Sequence, residues 1–446
     1  MNHEEQKTVF ISSFYGLIGR NILSTGFLKK ILDNPVKVVI FLPKEKEESY
    51  RKIFGSENVF VEGISYEESS YDKFLASIFF SLHGIENARI NRAGLISQGK
   101  YAGAFFSFCL SKIGRFKLIR KIARSLDYRF ATSGHYKKYF EKYKPDLVFA
   151  TDIFRHQDVD MMREAKKHRI LTLGMVRSWD NVSTKGLNRF IPDKMIVHGE
   201  HIKEEIVKYC DIEPSKISIV GIPHYDRYIT EGRTNREVFF KKFNLDPNKK
   251  TLILSPPLRS YTSDPVPETI VNALLPFDNI QTIIRMTLVG KSNIGNLKPI
   301  PNKLAIDAPE SAENFDQADM TNGDDHLMDL LYHCDVLASH VSTIAIDAIV
   351  FGKPAIYVGF NTNPVPYHES IRRFFDLDCA RDLVSTGGVE LIESLDDFIK
   401  CLLRHFADPA LGKEGRQNLI HNYCFRLDGK SSERLANVVI DVLYCR

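Results

Sequence analysis

Short apolar runs recur along the chain, each closed by a breaker or a small polar cluster. Between them lie longer stretches with apolar residues three and four apart. Near-continuous apolar runs alternating with helical periodicity predict strands covered on both faces, and therefore parallel sheets. The predicted strands are Thr8–Ser12, Val36–Leu42, a short one around Val59 and Val61, Leu147–Ala150, Ile170–Met175, Lys194–Val197 and Ile217–Val220. A second set is Thr251–Ser255, Gln281–Arg285, Val336–Ala338 and Ala355–Val358. Helices are predicted up to about Leu32, from His156 to His168, and at the end of the chain, where Ser431 or Ser432 caps the last helix. The opening reads β-loop-α-β-α-β, the start of a doubly wound sheet.

The two sets of strands predict two domains, as does a length of 446 residues, too great for one core. The first spans 1–228. A charged, polar stretch at 229–249, TEGRTNREVFFKKFNLDPNKK, reads as a helical hinge. The second domain spans 250–427, and a final helix occupies 428–446. The stretch 291–323, rich in Pro, Asn and Asp, reads as irregular. Residues 74–129 are helical by period, and their second half is basic. There Ile113, Phe116, Ile119, Ile122 and Leu126 share one face, with Lys112, Arg115, Lys117, Arg120, Lys121, Arg124 and Arg129 around them. Two readings stand side by side. Residues 112–129 lie on an anionic membrane, or they form a surface helix with its stripe in the core and its basic face in water.

Composition narrows the function classes. Hydrophobic residues make up 43% and charged residues 26%, with a net charge of +4. These are values of an ordinary globular protein, mildly suited to anionic ligands. No zinc finger, RNA-binding aromatic signature or basic tail is present, so nucleic acid is not an expected partner. The seven cysteines are scattered and form no Cys-x-x-Cys, which points to a reducing compartment without a zinc set. The first residues, MNHEEQKTVF, lack the order of a signal peptide, and no apolar run reaches the ~18 residues of a membrane span. The expected location is cytoplasmic, with peripheral contact at the inner face of the membrane.

The stretch Cys334–Val358, CDVLASHVSTIAIDAIVFGKPAIYV, carries the most chemistry. A strand runs into a hydroxyl-rich loop (Ser339, His340, Ser342, Thr343), then a helix with an acid at Asp347, a Gly-Lys-Pro stop and another strand. Backbone N–H groups at a helix start, with hydroxyls beside them, suit phosphate. The stretch resembles the donor-nucleotide motif of GT-B glycosyltransferases and of CDP-glycerol glycerophosphotransferase-like enzymes. Further resemblance lies in RSWDNVSTKG (Arg177–Gly186) with Pro192-Asp193, in Gly221–Tyr228, and in Asp428–Arg434. The resemblance implies an α/β fold of GT-B architecture: two Rossmann-like doubly wound domains facing a cleft, with a C-terminal helix crossing back. Acceptor is then expected on the first domain and nucleotide donor on the second. Relatives often carry Arg-x-His-Pro after the second domain's middle strand. This chain has Arg285-Met286-Thr287-Leu288, keeping the arginine and losing the histidine.

Transfer from a nucleotide-activated donor requires stabilised phosphate charge, a deprotonated acceptor hydroxyl and in-line placement. Ser339, His340, Ser342 and Thr343 are the donor candidates, supported by Arg285 and Arg259, with Asp347 on the ribose. Lys430 and Arg434 either reach donor phosphate or only charge a helix end. For the base, Asp152 and Asp180 sit at strand ends of the first domain, where open α/β sheets place their sites. His156 follows Asp152 by four residues. The patterning does not choose among them, and an N-cap role for Asp152 is a rival. Gly16 and Arg20 in the first loop, with Trp179, Asn181 and Lys185, are acceptor candidates, Trp179 as a stacking platform for a sugar ring. The Gly16/Gly19 loop reads equally well as a plain turn. Asp376-Leu377-Asp378 imitates a metal motif but reads as a solvated loop, so no metal and no cofactor are expected.

The leading expectation is a metal-independent glycosyltransferase moving sugar from a nucleotide-sugar to a glycan or lipid-linked acceptor of a surface polysaccharide. A CDP-polyol phosphotransferase, a non-catalytic nucleotide- or glycan-binding protein and, more remotely, a sugar-nucleotide epimerase are the rivals.

Overall fold

The computed structural model of the chain describes residues 6–131, 134–287, 291–308 and 323–444. They form two compact units, one of residues 1–229 with 422–446 and one of residues 230–421.

The first unit is built on seven strands: β1 (Lys7–Ser12), β2 (Val36–Pro43), β3 (Val59–Ile64), β4 (Leu147–Ala150), β5 (Leu171–Met175), β6 (Lys194–Val197) and β7 (Ile217–Ile219). Their order is β3-β2-β1-β4-β5-β6-β7, and every pairing is parallel. The apolar runs explain this arrangement. All of β4 is buried, as is nearly all of β1 and β2, because helices cover both faces. Phe10 of β1 packs edge-on against Phe41 of β2 at 4.7 Å and against Phe140 at 5.1 Å, tying strands to the helix Lys137–Tyr143.

The last helix, Ser431–Tyr444, belongs to this unit and packs on the helix Gly26–Leu32. Its serines do not start it unaided. The carboxylate of Asp226 accepts the backbone N–H of Ser431 at 2.9 Å and of Ser432 at 2.7 Å, satisfying two donors that a helix start leaves open. Gly221, at φ 85°, admits the helix: a Cβ there would stand 2.5 Å from Ser431 Oγ. Arg434 binds Asp428 through Nη1 at 2.9 and 2.8 Å and Val220 O through Nε at 2.9 Å. Asp428–Arg434 is thus the clamp of a helix start.

The helical stretch of the first unit departs from expectation. It is four helices, Ser70–Leu82, Glu86–Ser97, Tyr101–Ile113 and Lys117–Phe130, so the basic segment 112–129 is interrupted. Gly114 marks the break, lying too close to the Leu82 carbonyl for any Cβ. In Lys117–Phe130 the buried residues are Arg124 and Asp127 rather than the apolar stripe. Arg120 and Arg124 hold Asp211 at 2.5–2.8 Å, and Arg124 also donates to Asn188 O and Oδ1 at 2.9 and 2.8 Å. Asp127 accepts Arg189 Nε at 3.0 Å and Nη2 at 2.8 Å, and also binds Arg163. A core-facing stripe with a solvated basic face is therefore not what forms. Of the stripe, Ile119 alone packs inward, with Ala123, against Phe79, Leu82 and Leu187.

The second unit holds β8 (Lys250–Ser255), β9 (Ile280–Arg285), β10 (Leu304–Asp307), β11 (Val336–Ser339), β12 (Ala355–Val358) and β13 (Val389–Ile392), all parallel in the order β10-β9-β8-β11-β12-β13. β10 lies in the stretch read as irregular. Residues 309–322 of that stretch, and Leu288 of the Arg285–Leu288 motif, fall outside the described residues. From Thr230 onward the expected hinge is part of this unit. Thr234 N donates to Asp329 at 3.0 Å, and Arg236 donates to the carbonyls of His333 at 2.7 Å and Pro247 at 2.8 Å.

Candidate functional site

In both sheets the chain runs outward from a central strand and returns on its other side, beside β1 at β4 and beside β8 at β11. Loops at the carboxyl ends of those strands diverge and open a crevice, the usual ligand position in such sheets.

In the first unit the side chains gathered at this switch point are polar and buried. Thr151 donates its N–H to Ser12 Oγ at 2.8 Å and its hydroxyl to Ser12 O at 2.9 Å. Ser12 Oγ in turn donates to Asp158. Asp158 Oδ1 also accepts Asp152 N–H at 3.1 Å, while Oδ2 is buried without a partner. Burial, then the neighbouring Asp152 carboxylate, pushes the Asp158 carboxyl up to about 7.

Asp152 is 2% exposed and both its oxygens are engaged, Oδ1 by Phe154 N–H at 3.2 Å and Oδ2 by Arg177 Nε at 3.0 Å. It closes a turn and an ion pair, and it does not cap the following helix, whose cap position is Arg155. Arg177 is the hub that patterning missed as a site residue. Its guanidinium lies 3.7 Å from the centre of the Tyr15 ring. Burial opposes its charge, but Asp152, then Tyr15 and Asp180, hold its pKa above the usual value. Arg177 so brings together the loops after β1, β4 and β5.

Asp180 opens the short helix Asn181–Thr184 and keeps its side chain partly exposed, with Thr184 Oγ1 donating to Oδ2 at 3.3 Å. Unlike Asp152, it is held in no ion pair among the described residues. His156 is drawn elsewhere: its Nδ1 lies 2.5 Å from Arg189 Nη1, and its ring nitrogens lie 3.8 Å from Asp72 and from Glu68. Burial, then Arg189, lowers its pKa.

Trp179 offers no open face, being 7% exposed and packed edge-on against Tyr423 at 6.0 Å. Its Nε1, Asn181 Oδ1, Ser13 Oγ and His224 Nδ1 are buried without hydrogen-bond partners, all on or just after loops that follow strand ends. Such atoms are rare in folded proteins and mark where a ligand or water completes the structure. Burial, then the charge of Arg20 and His198, keeps His224 well below its usual pKa, so it is a neutral imidazole beside Arg20. Gly16 lies in the turn entering the π-helical Gly19–Leu23, and Lys185 is exposed.

In the second unit, Ser339 ends β11 opposite Ser255 of β8. Both line a narrow, mostly apolar crevice with Pro256, Pro257, Ile270, His340 and Val358. Ser339 Oγ and His340 Nδ1 are buried without partners. Burial pulls His340 down to about 4, so it serves as a neutral donor or acceptor. Ser342 is half-buried and Thr343 exposed, and Thr343, at the cap position, makes no side-chain cap bond. Its hydroxyl is therefore not used up in starting the helix Ile344–Val350, whose first turn contains Asp347.

Arg285 ends β9, but its Nη1 binds Asp307 of β10 at 2.6 Å. Asp307 also takes His326 Nε2 at 2.8 Å. Burial alone would raise the Asp307 pKa; the hydrogen bond from His326 and the charge of Arg285 bring it below the usual carboxylate value. The motif lacks its histidine in sequence, yet an imidazole arrives beside the same arginine through Asp307. Arg259 is exposed, its Nε donating to Ser292 O at 3.3 Å, and Lys430, in the first unit, is exposed.

The Asp376/Asp378 pair is divided between Tyr367, whose hydroxyl donates to Asp376 at 2.6 Å, and Arg381, which holds Asp378 at 2.6 Å. Away from the crevice, Glu390 gathers His405 at 2.8 Å, Arg404 at 2.9 Å and Cys401 at 3.3 Å. Hydrogen bonds to His405, then Cys401, outweigh burial and draw its carboxyl down to about 2.

Two parallel, doubly wound α/β units, each with polar side chains gathered at its switch point, are the architecture of the GT-B fold. The chain belongs to the family of CDP-Glycerol:Poly(glycerophosphate) glycerophosphotransferases, whose sequence profile matches residues 176–441. That span contains Arg177, Asp180, the Ser339–Asp347 loop and the Asp428–Arg434 clamp. Among solved structures, the chain resembles UDP-GlcNAc 2-epimerase from Neisseria meningitidis, with TM-score 0.57, 12% identity, and coverage of 98% of this chain and 100% of the other. A glycosyltransferase from Rickettsia africae matches with TM-score 0.54, 14% identity, and coverage of 99% and 100%. The glycotransferase of kitacinnamycin matches with TM-score 0.56, 11% identity and the same coverage. No curated protein sequence matches the chain.

Proposed function

We propose that the chain transfers a sugar from a nucleotide-sugar to a hydroxyl of a glycan or lipid-linked acceptor, without a metal ion, in the building of a surface polysaccharide on the cytoplasmic side of the membrane. The observation that carries this reading is the second unit's switch point. Ser339 Oγ and His340 Nδ1 are buried there without partners, beside Ser342 and an uncapped Thr343. Neutral donors at the end of a parallel strand suit a pyrophosphate whose charge grows as the donor bond breaks. In the first unit, Asp180 takes the acceptor proton, and the Arg177 guanidinium, held by Asp152, supplies positive charge to the same loop. The acceptor oxygen bonds to the anomeric carbon, that carbon's bond to phosphate oxygen breaks, and a nucleoside diphosphate leaves.

A second reading, glycerophosphoryl transfer from CDP-glycerol, is favoured by the family match. There the acceptor oxygen attacks phosphorus and CMP leaves. Thr287 in place of the motif histidine, and a carboxylate at Asp180, favour the first reading.

Thermal-shift measurements with CMP, CDP, UDP, GDP and NAD identify the donor base, since a ligand of the folded state raises the midpoint. Chromatography of the released nucleotide then separates the readings: a diphosphate means glycosyl transfer, CMP from CDP-glycerol means phosphoryl transfer. A chain that binds none of the nucleotides and releases none would refute both.

A further inference from the structure

The helix Leu395–Ala407 packs against the edge strand β13, and between them lies a set of side chains that the transfer chemistry does not use. Cys401 and His405, four residues apart, share one face of this helix. They are 1% and 3% exposed, and both reach Glu390 on the strand. His405 Nε2 lies 2.8 Å from one carboxylate oxygen, and Cys401 Sγ lies 3.3 Å from the other. One ligand atom from each of the three residues lies within 4.8 Å of the other two. None of the three lines the crevice at Ser339.

The donor mix selects the ligand. A thiol is a weak hydrogen-bond donor to a carboxylate. Burial, then the Glu390 charge, lifts the Cys401 thiol to about 12, so it is no nucleophile by itself. Arg404 also donates to Glu390, at 2.9 Å, but its side chain is 58% exposed and is free to turn into water at little cost. A sulfur, an imidazole nitrogen and a carboxylate oxygen together are the ligands of zinc. Thiolate and carboxylate balance the charge of a dication, and the half-buried Glu390 leaves a side open for water as fourth ligand. Tetrahedral zinc holds its ligand atoms roughly 3.3–3.6 Å apart. The sulfur–oxygen pair already stands at that spacing, and the imidazole has to retreat by about half an ångström.

We propose that Glu390, Cys401 and His405 form a zinc site that staples the helix Leu395–Ala407 to the edge strand of the second unit. Binding sends the thiol proton to solvent and moves the imidazole proton from Nε2 to Nδ1, which frees Nε2 for the metal. Nδ1 is buried without a partner, so the ring lacks the outer hydrogen bond that usually supports a zinc ligand. Affinity is therefore expected about 10–100-fold below that of a fully supported site. The site is structural, leaves the transfer step itself without a metal, and stands whichever group is transferred.

The test is titration of the full chain, stripped with a chelator, first with Co²⁺ as a spectroscopic stand-in and then with Zn²⁺. Co²⁺ should bring up a thiolate-to-cobalt charge-transfer band together with the visible bands of a four-coordinate ion. Zn²⁺ should displace it and raise the thermal midpoint, as a ligand of the folded state does. Cys401→Ser should abolish the charge-transfer band and weaken uptake by at least about tenfold, since losing a ligand costs no less than losing its outer support. Cys109→Ser, which changes the exposed thiol, should leave band and uptake as they are. Glu390→Gln keeps the shape of the side chain and should weaken uptake likewise, and it carries the test if the serine variant melts early. A wild type that takes up neither ion overturns the proposal. So does a charge-transfer band that survives Cys401→Ser, or an uptake that Glu390→Gln leaves unchanged.

Discussion

Asp158 ties the stability of the first unit to pH in an unusual direction. Its carboxyl is 1% exposed, with Oδ1 accepting from Ser12 and Asp152 N–H and Oδ2 facing no partner. An unfolded aspartate loses its proton near pH ~4, whereas here burial and then Asp152 push the carboxyl up to about 7. Between those values the folded state holds a proton that the unfolded state has lost, so stability falls as pH rises. The contribution is fully present below about pH 4 and gone above about pH 7. At ~1.4 kcal/mol per unit, three units correspond to at most about 4 kcal/mol. Asp158→Asn keeps the Oδ1 acceptor and cannot ionise. It should flatten the pH dependence and raise the midpoint at pH 8 by at most roughly 8–16 °C, taking roughly 2–4 °C per kcal/mol. Trp179, the single tryptophan, is buried in this unit and reports its melting by fluorescence. The reasoning is refuted by a wild-type midpoint that holds or rises from pH 5 to 8, or by an Asn variant that falls in parallel with it.

Asp180→Asn should lower transfer by about 10²–10⁴-fold while nucleotide thermal shifts stay in place, measured as nucleotide release; unchanged release removes Asp180 from the chemistry. Arg177→Met leaves the Asp152 carboxylate buried against a lone backbone donor, and should cost about 3–5 kcal/mol in denaturant melts followed at Trp179. Adding Asp152→Asn should restore part of that loss, and no restoration would mean the pair is not the source. Asp226→Ala should destabilise the first unit by about 1–2 kcal/mol by opening the start of the last helix, with hydrogen exchange at Ser431 and Ser432 rising first; protection retained there would contradict the cap.

Most of the strand ladder was legible because strand signals are local. Val36–Pro43 and Ile280–Arg285 are apolar runs between breakers, and burial on both faces requires that pattern. Leu304–Asp307 and Val389–Ile392 escaped because each is a four-residue edge strand, the first inside a Pro- and Asn-rich stretch and the second mostly half-buried. The loops holding the candidate site were legible too, since a strand, a small polar loop and a helix start announce themselves in order. Which side chains in those loops are available was not. Asp152 and His156 read as candidate bases and Arg285 as a phosphate partner, but each is bound to a group elsewhere in the chain: Arg177, Arg189 and Asp307.

The amino-acid sequence by itself determined two parallel α/β units, their switch-point loops and the residue types gathered there, because hydrophobic period and turn chemistry act over a few residues. Only the tertiary structure decided that Arg177 joins Asp152 to the Tyr15 loop, that His326 comes to Arg285 through Asp307, and that Asp226 starts a helix 205 residues away. It also decided that Lys117–Phe130 buries Arg124 and Asp127 and shows Leu118 and Leu126. A helical wheel records two faces, but the face that turns inward is set by the partners the folded chain brings to meet it, here Asp211, Asn188 and Arg189.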